Sequence, residues 1–320
     1  MPATETLAPT DAGLARAARL LAEGALVAFP TETVYGLGAD AGNGRAVAAV
    51  FAAKGRPVFN PLIVHVANLE AARRLAVFDA TAERLAGAFW PGPLTLVLPR
   101  RPDAPLPDLV AAGLPTVALR VPDHPVAQGL LAAFSGPVAA PSANPSGRIS
   151  PTRAQHVLAG LEGRIAAVLD GGACPVGLES TIVGFDAGRP VLLRAGGISA
   201  EALARVAGQR VPSATDGAVQ APGMLASHYA PRAPVRLDVT APRAGEFWVG
   251  FGPGCDGAAL NLSPAGDLTE AAATLFDILH RADADGRLIA FAPVPRHGLG
   301  VAINDRLARA AAPRGSDNDA

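Results

Sequence analysis

Lysine is almost missing from this chain of 320 residues: Lys54 stands alone among 27 basic side chains, and the rest are arginines. Codon bias accounts for such a replacement in general. A lysine that survives it is nevertheless a candidate for a compact point charge, which a planar guanidinium cannot imitate. Cysteine is scarce too. Cys174 and Cys255 are the two present, too few and too far apart for a disulfide framework or a zinc knuckle, and a reducing cytoplasm is the expected home. Nor is there an excess of one charge. With 27 basic against 28 acidic residues, net -1, no global positive field exists to hold nucleic acid or an anionic membrane. The longest uncharged stretch, 125–147, is broken by prolines, serines and an asparagine, which a lipid-exposed helix would not tolerate. The first residues lack the order of a signal peptide, and Glu5 argues against a transit peptide, so no targeting segment is expected.

What the chain does have is 35 glycines, 30 prolines and 50% hydrophobic residues, a composition of short apolar elements separated by tight turns. Its length suits about two domains. Asp11 to Glu23 has helical spacing behind a possible Thr10 cap, and Ala25 to Phe29 reads as a buried strand. Further strands are expected at 62–66, 94–98, 116–121, 138–140, 166–169, 181–185 and 191–194. Helical patterns lie at 44–53, 80–89, 126–133, 152–161 and 200–206. Periodicity vanishes from Gly208 to Pro234 and resumes as strand, strand, helix, strand, helix. The expected organisation is therefore a mixed-sheet α/β domain over 1–208, a linker over 209–234, a small three-layer α/β domain with a parallel sheet over 235–312, and a disordered tail over 313–320.

Chemistry-bearing residues gather at predicted strand ends, where open α/β sheets bind ligands. Pro30 to Gly38 offers threonine hydroxyls and exposed amides that could hold a small zwitterion; a capped turn is the plainer alternative. The run from Lys54 to Leu62 carries two cations, one glycine apart, in a loop stiffened by prolines. It suits a phosphate chain, though a basic helix C-terminus would look the same. His65 follows within a strand. Thr116 and Arg120 share one strand face at period two. Pro141 to Gly147, with Ser142 and Asn144, is a polar extended turn; Glu179-Ser180-Thr181 opens a strand, and Arg194 closes one. Phe89 to Leu96 reads as packing.

In type, order and spacing, Pro30 to Gly38, Lys54-Gly55-Arg56-Pro57 with Pro61-Leu62, Pro141 to Gly147 and Ser180-Thr181 resemble the threonylcarbamoyl-AMP synthases, the YrdC-like family. Pro222-Gly223-Met224, His228-Tyr229-Ala230-Pro231 and the run from Gly298 to Leu307 resemble its long two-domain form. The resemblance implies a YrdC-like twisted mixed sheet followed by a small Rossmann-like domain. It also implies a nucleotidyltransferase that joins L-threonine, bicarbonate or CO2, and ATP into threonylcarbamoyl-AMP and pyrophosphate, the donor for threonylcarbamoyladenosine in tRNA. A separate tRNA threonylcarbamoyl transferase complex would consume the product.

Carried over by position, Thr33, His65, Arg120, Ala140 and Ser180 are implied threonine contacts. Lys54, Arg56, Asn60, Thr116, Ser142, Asn144, Ser150 and Arg194 are implied ATP contacts, with Lys54 and Arg56 as the catalytic cations. The chemistry asks for this: a carbamate oxygen attacking the α-phosphorus builds negative charge on phosphoryl oxygens. Mg2+ is expected to arrive with ATP, without a dedicated protein cage. His228 and Tyr229 are read as parts of a lid, the alternative being a tether that docks the second domain. Two competing readings are a non-catalytic RNA-binding or regulatory module on the same sheet, which the neutral charge balance disfavours, and carbamoyl transfer from carbamoyl phosphate.

Overall fold

A computed structural model describes residues 3–214 and 228–313. Pro222-Gly223-Met224 and nearly all of the expected tail lie outside the described residues. The elements run β1 (Glu5–Leu7), α1 (Asp11–Ala22), β2 (Val27–Phe29), β3 (Gly36–Asp40), α2 (Gly44–Lys54), β4 (Ile63–His65), α3 (Leu69–Arg73), α4 (Ala80–Phe89), β5 (Leu94–Pro99), α5 (Asp108–Ala111) and β6 (Thr116–Arg120). There follow α6 (Pro125–Phe134), β7 (Val138–Ala139), α7 (Ala154–Leu161), β8 (Ala167–Leu169), β9 (Thr181–Asp186), β10 (Arg189–Arg194) and α8 (Ala200–Ala207). After the linker come β11 (Val235–Arg236), β12 (Phe247–Gly250), β13 (Leu260–Asn261), α9 (Leu268–Asp285), β14 (Ile289–Phe291) and α10 (Gly300–Ala311).

The first ten strands form one mixed sheet in the order β1-β8-β2-β3-β7-β4-β6-β5-β9-β10. Alternation along its central strands separates core from site. Val64 on β4 and Val117 and Leu119 on β6 point into the main hydrophobic core, together with Val47 and Val50 of α2 and Leu85 of α4. Ile63 and Ala118 point to the other face, and so, at the same period, do His65 and Arg120, which pair in register. On that face α1 and α6 cover only the half built by β2, β7 and β8. On the half around β4, β6, β5 and β9, the apolar cluster of Ile63, Val97, Ala118 and Ile182 takes in no helix residue.

Local chemistry explains the expected elements. The Thr10 hydroxyl accepts from Gly13 N and caps α1. At the end of α2, Gly55 takes φ 59°, a left-handed cap that turns the chain between Lys54 and Arg56. Not read from the sequence are the short β1, α3, α5 and β13, and β3, which falls partly in the segment expected to be a turn.

The second sheet is parallel, in the order β11-β14-β12-β13. One of its faces packs on α9 and α10; its other face is covered by Val239, Cys255 and Ala258 in non-helical chain. The cluster containing α9 and α10 also takes in Val34, Ile149, Leu178 and Tyr229, so the second domain is seated against loops of the first. Arg153 pairs with Asp277 at 2.9 Å, and His156 stacks on His280 at 3.9 Å across the same contact. Among the described residues no helix is long and apolar enough to cross a membrane.

Candidate active site

One cavity of about 50 Å³ opens on the uncovered half of the sheet. Its lining brings together ten of the residues expected from the sequence: Thr33, Arg56, His65, Arg120, Ala140, Ser142, Ser180, Arg194, His228 and Tyr229. Four more stand behind that lining, Lys54, Asn60, Asn144 and Ser150, each buried and bonded to a lining residue or its loop. Thr116 is outside this group: it pairs with Pro99 at the opposite end of β6 from Arg120 and does not line the cavity.

Each side chain is held by a local device. Thr31 donates its hydroxyl to the Val34 carbonyl at 2.7 Å, which leaves Thr33 as the donor in the 2.8 Å contact between the two hydroxyls. Thr31 also accepts from the amides of Thr33 and Val34, so the segment is both a capped turn and a wall of the site. Arg56 folds back on its own loop, donating to the carbonyls of Asn60 and Pro61. Lys54 reaches into the Ser142–Asn144 loop behind the lining, where its ammonium donates to the carbonyls of Ser142 and Asn144. Ser180 shares a 2.7 Å contact with Thr95, and Arg194 donates to both its carbonyl and its hydroxyl. Gly196 makes that strand end possible, because a Cβ there would fall 2.3 Å from the Glu179 carbonyl oxygen. The turn assigned to packing also serves the site, since the Gly92 carbonyl accepts from Arg120 at 3.4 Å.

The electrostatics are those of an anion site, with several cations gathered around one cavity. Burial first, and then the proximity of Arg194, pulls Arg56 down to about 10. Burial, with help from Arg56, holds Lys54 well below the ordinary lysine range. His65 and His228 are both lowered to about 3, chiefly by burial, with Arg120 acting on the first and neighbouring cations on the second. Both rings are therefore neutral at physiological pH, and His65 Nδ1 and His228 Nδ1 have no hydrogen-bond partner. A bound anion would relieve the crowding of cations.

Three charged residues of the site lie in motifs read from the sequence but were given no role there. Glu32 lies 2.7 Å from Arg120 Nη2. Glu179 accepts from Ser150 at 2.5 Å, and on its other oxygen pairs with Arg306 of α10 at 2.9 Å. The Arg306 signal was present: it occupies the apolar stripe of α10 with Ala302, Ile303, Leu307 and Ala310, where a charge needs a buried partner.

Tyr229 and His228 close the cavity. The two rings meet at 4.1 Å, Tyr229 lies 5.5 Å from Phe276, and the Ala230 amide donates to Gly147. Tyr229 takes φ 62°, which for a bulky side chain is strained by roughly 1–3 kcal/mol. Among the described residues no group of three or more His, Cys, Asp or Glu is arranged to hold a metal ion.

Comparison with known proteins sets this geometry beside a described family. Residues 19–196 match the family model described as "Telomere recombination", and residues 198–312 match the one described as "Threonylcarbamoyl-AMP synthase, C-terminal domain". A threonylcarbamoyl-AMP synthase of Bacillus subtilis (strain 168) is 41% identical, with 97% of this chain and 96% of the relative aligned. One from Pyrococcus abyssi is 42% identical over 92% of each chain. The crystal structure of P. abyssi Sua5 complexed with L-threonine superposes with a TM-score of 0.87 at 39% identity, covering 96% of this chain and 97% of that one. Escherichia coli YciO, 21% identical with a TM-score of 0.56, shares the fold over 61% of this chain.

Proposed function

The chain belongs to the threonylcarbamoyl-AMP synthase family in its two-domain form, and on that premise we propose how its residues make threonylcarbamoyl-AMP for tRNA modification. The substrates are L-threonine, bicarbonate or CO2, and ATP. The threonine amine takes up CO2 to give a carbamate, or bicarbonate with loss of water. A carbamate oxygen then attacks the α-phosphorus in line, and pyrophosphate leaves.

The observation that carries this reading is the convergence of Arg56, Arg120 and Arg194 with the hydroxyls of Thr33 and Ser180 on one cavity. Arg120 suits the threonine carboxylate as a planar fork, with Thr33, His65, Ala140 and Ser180 around the rest of the amino acid. Arg56 and Arg194 face the developing charge on the phosphoryl oxygens. Lys54 contributes by fixing the Ser142–Asn144 loop and adding a positive field behind it. Most of the rate would come from holding three reactants in line, since no strong general base is needed beyond deprotonation of the amine. The cations facing the triphosphate leave Mg2+ to be held by phosphate oxygens.

At about 50 Å³ the cavity is far below the roughly 300–1,000 Å³ of sites for larger ligands, so His228 and Tyr229 must withdraw to admit the nucleotide. They return to exclude water from the labile adenylate. The product passes to a separate tRNA threonylcarbamoyl transferase complex, with no stable nucleic-acid binding by this chain, in the cytoplasm.

The test is product analysis by mass spectrometry and phosphorus NMR after mixing the protein with MgATP, threonine and bicarbonate. Threonylcarbamoyl-AMP and pyrophosphate should appear together, and omission of threonine or of bicarbonate should stop both. Undiminished pyrophosphate release without threonine in CO2-depleted buffer would overturn the assignment, and product from carbamoyl phosphate alone would replace it.

A further inference from the structure

The second domain sends one side chain into the immediate surroundings of the active site. Arg306 of α10 is fully buried, and its guanidinium meets three segments outside its own helix. Nε pairs with Glu179 at 2.9 Å, Nη1 donates to the Ala195 carbonyl at 2.8 Å and to Asp305 at 2.9 Å, and Cζ lies 5.3 Å from the centre of the Tyr229 ring. Apart from Asp305 on its own helix, each partner is a site residue or adjoins one. Glu179 precedes Ser180 and accepts the Ser150 hydroxyl; Ala195 follows Arg194; Tyr229 closes the cavity.

A buried ion pair is weak evidence of stability, because desolvating both ions offsets most of their attraction, and apolar residues would hold two domains together as well. What the pair does provide is a fixed position for its members. Glu179 is also faced by Arg194 from β10, Ser150 from the preceding loop, and Tyr229 and His228 from the linker. Burial works to raise its carboxyl, but Arg306 and then Arg194 outweigh this and keep it ionised. Ionised, it can only accept, and so it holds Ser150 as a donor.

Building on the function proposed above, we propose that Arg306 is a positioning residue of the active site: through Glu179, Ala195 and Tyr229 it sets the places of Ser180, Arg194 and the closing tyrosine. The second domain is then a component of the catalytic site. Without the guanidinium, Glu179 would keep its burial and lose its main counter-ion. Its carboxyl would protonate toward neutral pH and present a donor to Ser150 where an acceptor is required.

The test uses the full chain with Arg306→Met, Arg306→Lys, Glu179→Gln and the double variant Arg306→Met with Glu179→Gln. It measures kcat and KM from pH 6 to 9, MgATP affinity by calorimetry, and thermal melting. In Arg306→Met, kcat/KM at pH 7 should fall about tenfold to a hundredfold, MgATP should bind more weakly, and the rate should rise with pH as Glu179 ionises, a step the wild type lacks. The double variant should lose that step, and Arg306→Lys should recover at least part of the rate and remove it. Wild-type kinetics and pH profile in Arg306→Met, or an equal, pH-independent loss in Arg306→Met and Arg306→Lys that follows melting temperature, would overturn the proposal. Should Arg306→Met not fold, Arg306→Lys and Glu179→Gln decide. Weakened MgATP binding in either folded variant supports the role, and wild-type binding and turnover in both refute it. Absence of threonylcarbamoyl-AMP from the wild type would count against the functional reading alone, since the MgATP affinities still report on Arg306.

Discussion

Arg120 Nη2 lies 2.7 Å from Glu32 Oε1, and each of the two side chains is 4% exposed. The other Glu32 oxygen accepts from the Asp123 amide at 2.9 Å, so the carboxylate is fixed from both sides. The remaining contacts of Arg120, to Gly92 and Thr31, are long, at 3.4 and 3.5 Å. Glu32 therefore aims the guanidinium. Removing the carboxylate leaves a buried cation without its counter-ion, so Glu32→Gln should destabilise the fold by about 3 kcal/mol. Its KM for threonine should rise on the order of tenfold, equivalent to about 1.4 kcal/mol of binding. Urea unfolding and steady-state kinetics on the same preparation check both, and an unchanged KM would remove Arg120 from the threonine site.

Lys54 sits where its ammonium can reach two carbonyls of one loop. A guanidinium is planar and longer than the ammonium it would replace at the buried end of α2. Lys54→Arg should keep the charge and still lose on the order of a hundredfold in turnover, about 3 kcal/mol of transition-state stabilisation. Near wild-type turnover would return this lysine to the pattern of codon bias.

Acid should weaken the fold in a defined window. His65 is lowered to about 3 by burial and then by Arg120, against about 6.5 in the unfolded chain. Between those values the unfolded state binds a proton that the native state refuses, so stability is complete above about pH 6.5 and declines as pH falls toward 3. His228 behaves alike. Each such ring contributes a slope of at most about 1.4 kcal/mol per pH unit. Urea midpoints across this range should show the decline, and His65→Gln should make it shallower; an equally steep decline in that variant would remove His65 from the explanation.

The closing pair of rings should separate synthesis from protection. In His228→Ala with Tyr229→Ala both sheets and the main core are untouched; the α9–α10 cluster gives up one ring and the cavity loses its cover. Turnover should fall, and a larger share of the ATP consumed should end as free AMP because water reaches the adenylate. Full activity with an unchanged product ratio would reduce the segment to a tether.

Much of this molecule was legible as a string. Apolar runs bounded by turns announced the α/β class and most of its longer elements, because period and punctuation are local properties. So was the gathering of Arg56, Arg120, Ser180 and Arg194 at strand ends. β1 and β13 were not legible, since two or three residues form a strand only when a partner strand is present, as Glu5–Leu7 finds in Ala167–Leu169. β3 was masked by a segment that is turn at one end and strand at the other.

The residues themselves could not disclose the role of Lys54 or the identity of the site's carboxylates. The sequence by itself determined that a lone ammonium follows a helix, that two acids sit among hydroxyls near strand openings, and that an arginine interrupts the apolar stripe of α10. Which charge meets which was decided by tertiary structure alone. The partners Glu179 and Arg306 come from different domains, and the energy of a buried ion depends on what surrounds it in space, a quantity that local periodicity does not contain.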